Sequence, residues 1–184
     1  MKSLPCLVLF SFPAFLCGQG VGADWDIVQI IQSLSQNSAR LIPLVDQITP
    51  NEWLAKGAPE AYVSQWKTAR TELAALSTVT KVLERQPEKL TAALETYFRL
   101  QLIDQQLKSL TDGIRQYQNP AVADLLLSVL SENSVSRDRL QQHITDLADQ
   151  KEKEFSVVDK EAQRCRAQTI RQVVSPVKRP AAKQ

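Results

Sequence analysis

Glycine is scarce: the 184 residues contain 5 Gly, three of which (Gly18, Gly20, Gly22) fall in the first 22 positions. The rest of the chain lacks the left-handed turn positions that tight hairpins and most sheets need, and it holds no Gly-rich phosphate loop. Histidine is scarcer still, with His143 alone. This excludes the paired Glu-x-x-His units of di-iron bundles, and no Cys-x-x-Cys-His haem attachment occurs. His143 and Asp146 lie three apart on one helix face, yet two ligands do not make a metal site. No metal, cofactor or catalytic residue is expected. Cysteine is limited to Cys6, Cys17 and Cys165. A Cys-His nucleophile would have to join His143 to Cys165, about 33 Å apart along what reads as one helix.

What is present is helix-forming. Ala, Leu, Gln, Glu, Lys and Arg dominate, hydrophobic residues make up 43% and charged residues 23%, and the class that follows is all-α with a core of ordinary size. Residues 1–23 have the form of a secretory signal. Lys2 gives the positive start, Leu4 to Leu16 the apolar run, and Val21-Gly22-Ala23 the small-x-small cleavage site. That run is shorter than the roughly 20 residues a membrane span needs, and Pro5 and Pro13 interrupt it. Leu16, not a small residue, precedes Cys17, which argues against lipidation there. The expectation is an exported protein, periplasmic or extracellular, with no transmembrane segment and with Cys165 as its one remaining thiol.

The apolar residues of the remainder recur in alternating steps of four and three, the spacing of helices packed along narrow seams. The first seam runs through Ile27, Ile31, Leu34, Ser38, Leu41, Val45 and Ile48, with Pro43 predicting a kink near Arg40 rather than a break. Thr49-Pro50-Asn51-Glu52 reads as a capping box opening a short helix that Gly57 and Pro59 close. A second long helix extends from about Pro59 to Arg85 through Trp66, Ala69, Leu73, Leu76, Thr80 and Leu83. A third runs to about Tyr117 with Leu100, Ile103, Leu107, Leu110, Ile114 and Tyr117 as its seam and Gly113 as a weak point. A fourth begins after Asn119-Pro120, meets no breaker before Ser175, and carries a seam through Val122, Leu126, Val129, Asn133, Leu140, Ile144, Leu147, Lys151, Val158, Ala162, Cys165 and Val173.

Short connections make successive helices antiparallel, giving an up-down-up-down four-helix bundle with left-handed coiled-coil-like packing. The fourth helix outruns its companions. The expected layout is therefore a bundle over 24–150, a projecting part of the fourth helix over 151–172, and a disordered basic tail over 173–184.

Candidate sites are few. Trp53, Tyr62 and Trp66 cluster around the proline-pinned segment that crosses the bundle end. They form either a hydrophobic cap or a ligand or partner pocket. Asp104, beside Ile103 and Leu107, is the acid nearest a core. Charge is asymmetric: residues 162–184 hold Arg164, Arg166, Arg171, Lys178, Arg179 and Lys183 and no acid, whereas 24–161 hold 15 basic and 20 acidic residues. Arg164, Arg166, Arg171, Lys178 and Arg179 are thus candidates for contact with an anionic surface. With no aromatics interleaved among them, nucleic acid is not an expected partner. The leading expectation is a non-enzymatic protein acting by contact with an unknown partner or with itself. The alternatives are a small-ligand sensor or carrier at the Trp53, Tyr62 and Trp66 end and, last, a carboxylate hydrolase.

Overall fold

The computed structural model describes residues 21–174, with side chains from 26 to 171. The expected signal therefore lies outside the described residues except for Val21–Ala23, and so does the tail from 175 onward. About 90% of the described residues are helical, and no strand occurs among them. Five helices follow in order: α1 Val21–Asp46, α2 Pro50–Leu54, α3 Ala61–Arg85, α4 Leu90–Tyr117 and α5 Pro120–Val174. None is long and apolar enough to cross a membrane.

Every residue of the first seam, Ile27 through Ile48, is buried, and α1 continues unbroken through Pro43, which faces solvent. Ala69, Leu73, Leu76, Thr80 and Leu83 of α3 are buried too, as are Leu100, Ile103, Leu107, Leu110 and Ile114 of α4. α5 adds Leu126, Val129, Asn133, Leu140 and Leu147. The sevenfold spacing thus converts directly into one continuous core. Burying each such Leu or Ile contributes about 1.5–3 kcal/mol against the entropy of ordering the chain.

α3 packs on α4, α4 on α5, α5 on α1 and α1 on α3. Polar pairs across these contacts give the directions. From α3 to α4, Glu72 pairs with Arg99 and Gln65 with Ser109. From α4 to α5, Tyr97 meets Gln141, Asp104 meets Arg137 and Arg115 meets Asp124. Residue numbers fall on one helix as they rise on the next, so these neighbours are antiparallel. Arg99 is held between Glu72 at 2.5 Å and Glu95 at 2.8 Å, and the Glu95 hydrogen bond leads in raising its pKa further above the ordinary value.

α2 ends as its sequence implies. Gly57 takes φ +85°, a left-handed conformation in which an L side chain is strained. Its start departs from expectation. Thr49 makes no side-chain cap to the helix, and its hydroxyl instead donates to Glu52 Oε2 at 3.3 Å. The Thr49 backbone N–H goes to Gln118 Oε1 at 3.1 Å, while Gln118 Nε2 donates to the Gln47 carbonyl at 2.8 Å. One amide from the end of α4 thus satisfies a donor and an acceptor of the α1–α2 corner together. That leaves Glu52 without the backbone partner a capping box requires.

Candidate functional site

The segment between α1 and α3 drops Trp53 into the end of the helical body, where it is 1% exposed. Its ring stacks on Tyr117 with centroids 6.1 Å apart and planes 25° apart, and meets Tyr62 edge-on at 5.7 Å and 77°. Tyr62 and Tyr117 close the triangle at 6.4 Å. Such offset and edge-to-face pairs add about 0.5–1.5 kcal/mol each beyond area burial. Space for the triangle comes from Gly113: a Cβ built there would stand 2.7 Å from Trp53 Cζ3 and 3.1 Å from Tyr62 Cζ. The glycine read as a weak point of α4 is the notch that admits the indole. Sequence reasoning missed Gly113 and Tyr117 as partners of Trp53. The available signal was a lone glycine at 113, one position before the seam residue Ile114.

Trp66 stands apart from this triangle. Its Nε1 donates to the Val45 carbonyl at 2.8 Å, and the Arg70 guanidinium lies over its ring at 4.9 Å. Arg70 also reaches Asp46 at 3.0 Å. Trp66, Arg70 and Asp46 line an open cleft of about 400 Å³ whose far wall is Thr49, Pro50 and Glu52. The three aromatic candidates therefore divide: Trp53 and Tyr62 fill the body's end against each other, and Trp66 edges a surface cleft. Trp53 Nε1 has no acceptor, so the ring is held there by packing rather than by its polar atom.

The polar candidates are tied down locally. Asp104 accepts from Lys108 at 2.9 Å and pairs with Arg137 at 3.4 Å, so two cations offset its charge. His143 Nε2–H donates to the Pro87 carbonyl at 2.8 Å, pinning α5 to the α3–α4 connection. No group of three or more His, Cys, Asp or Glu able to hold a metal ion exists among the described residues. Asn133 is buried in the α5 seam with its Oδ1 unpaired.

The distal part of α5 is the other candidate. From Lys151 to Arg171 every residue is exposed except Ala162, which is half-buried. Phe155 is 72% exposed and Val158 64%. The stretch opens with charges that pair along the helix itself, Lys153 with Asp149 and Lys151 with Glu154. Hydrogen bonds from Lys151 and then Gln150 hold the Glu154 carboxyl below its ordinary pKa, and the Asp149 hydrogen bond raises that of Lys153. No protein-family model matches this chain, and neither a curated protein nor a solved structure is detectably similar to it. Only its own residues speak for its role. Arg164, Arg166 and Arg171 are exposed on α5, while Lys178 and Arg179 lie outside the described residues. Arg164 and Arg171 share a face one heptad apart, but Arg166 is turned about 200° from Arg164. The three arginines of the described helix therefore do not make one basic stripe.

Proposed function

We propose that this is an exported, non-enzymatic protein that works by contact. Its body is an up-down-up-down four-helix bundle with left-handed packing, and the distal part of α5, from about residue 151, is the element offered to a partner. The observation that carries this reading is the exposure of that segment together with its apolar residues. A helix of this length is marginal on its own in water, and Phe155 and Val158, one turn apart on one open face, are the apolar residues a partner would cover. The exported location rests on the form of residues 1–23, and the periplasm and the cell exterior both fit.

The test is a chain ending at residue 150. The expected result is an unchanged melting temperature for the body, with helicity reduced only in proportion to the residues removed. A cooperative loss of the body's fold on truncation would show that the segment belongs to the core, and the reading would fall.

A ligand-binding reading moves, under this geometry, from Trp53 to Trp66. The cleft beside Trp66 sets one cation, Arg70, against two carboxylates, Asp46 and Glu52, along an indole edge, suited to a small zwitterion with an apolar part. Quenching of tryptophan emission by such compounds, abolished in Arg70→Ala, would favour it.

A further inference from the structure

We infer that the distal segment of α5 pairs with the same segment of a second copy, antiparallel, to form a two-helix arm joining two bodies. This rests on the reading of α5 as a contact element and names its partner.

The apolar stripe of the segment runs through Phe155, Val158, Ala162, Cys165 and Thr169, in steps of three and four. It continues the body's seam from Leu147 through Lys151 to Phe155 by two successive steps of four. This is a stutter, which locally unwinds the left-handed supercoil and keeps the stripe on the side of α5 that carries the body's seam, beyond the point where that seam is covered. Val157 and Ile170 fall off the stripe. What remains is the a/d seam of a short coiled coil with one helix missing.

Charge selects the missing helix and its direction. Residues 149–161 contain Asp149, Glu152, Glu154, Asp159 and Glu161 against Lys151, Lys153 and Lys160, a net of −2. Residues 162–174 contain Arg164, Arg166 and Arg171 and no acid, a net of +3. A parallel pair would stack +3 on +3. An antiparallel pair sets each acidic half against the basic half of the other copy, so the chain is its own complement. The register that places Ala162 against Cys165 of the second copy, and Val158 against Thr169, also brings Asp159 beside Arg166 of the second copy, twice by symmetry. Arg166 makes no ion pair among the described residues, and Asp159 only accepts from Gln163 on its own helix at 2.8 Å. Two heptads with Ala162 and Thr169 in the seam bury little area, so the dimer is a weak one that dissociates at micromolar concentrations.

Light scattering on the full chain under reducing conditions, over a range of concentrations, tests this. The expected mass rises from monomer to twice that value and returns to monomer at high salt. Asp159→Arg or Arg166→Asp alone weakens the dimer by about tenfold, because two attractions become two repulsions, and the double exchange restores it. Both sites are exposed, so folding of the body is not at stake. Orientation is read at Cys165: the antiparallel register leaves the two thiols in different layers, whereas a parallel pair would place them in one layer and link them under mild oxidant. A chain monomeric at every concentration, a dimer joined through Cys165, or charge exchanges without effect would overturn the pairing. If the chain is monomeric while truncation at 150 leaves the body intact, the contact role survives and another partner is required. If truncation destroys the body, both fall.

Discussion

Gly113 shows two opposed effects at one residue. Replacing it with Ala should gain about 1 kcal/mol of helix propensity, but the new Cβ would stand 2.7 Å from a Trp53 ring that has nowhere to retreat. Overpacking of that kind costs about 1–3 kcal/mol, and Tyr62 on the other side removes the remaining freedom. The expected outcome of Gly113→Ala in a denaturant titration is a net loss of up to about 2 kcal/mol; a gain would mean that the aromatic triangle repacks freely. Trp53 gives a paired prediction. Trp53→Ala should cost about 3–5 kcal/mol, whereas Trp53→Phe should cost less than half as much. The indole N–H has no acceptor, so removing it forfeits no hydrogen bond and relieves a buried orphan donor. Equal losses in the two variants would show that the N–H is satisfied in solution. Asn133 is a similar orphan at a seam position, where a polar side chain disfavours shifted registers at the expense of stability.

Within α5, one helix divides at about Leu147 into a part whose seam is covered and a part whose seam is not. The junction is held by pairs along the helix, and these respond to pH. Glu154 has its pKa lowered from 4.5 in the folded helix by Lys151 first and Gln150 second. Its contribution to helicity is therefore complete above that ordinary value and is lost as the pH falls through the lowered one. The group is fully exposed, so the effect is local and screened by salt. Circular dichroism of the full chain should show a small loss of helix on acidification through this range. Glu154→Gln should remove that step, and persistence of an identical step in the variant would assign it elsewhere.

The molecule as a whole has two stability regimes. Opening of the body exposes the joint core of four helices at once, while the distal segment draws stability only from what it pairs with. Hydrogen exchange should therefore separate them. Protection of amides in 155–171 is expected to rise with protein concentration, and protection of the α1, α3 and α4 seams is not. Protection of the distal segment that is high and independent of concentration would point to intramolecular packing instead.

Helix class, helix limits and the buried face of α1, α3, α4 and, as far as Leu147, of α5 were legible in the chain, whereas the expected seam of α5 beyond that point is open. They depend on spacing and on Pro and Gly at the ends, which are local properties. Ile27 to Val45 lie at positions that only one helix face can bring together, and Gly57 and Pro59 stop α2 wherever the rest of the chain goes. The over-long α5 was legible for the same reason, as a count of residues without a breaker. The three-dimensional arrangement alone decided which side chains meet across elements. Gln118 takes the Thr49 N–H that the local motif assigns to Glu52, Gly113 makes room for Trp53 about sixty residues away in sequence, and Trp66 leaves its aromatic neighbours to bond Val45. Those outcomes depend on how far separate helices slide and turn against one another, and a repeat of seven leaves sliding by whole heptads undetermined. Only the interlocking of large rings and single amides at the body's end selects one of these arrangements.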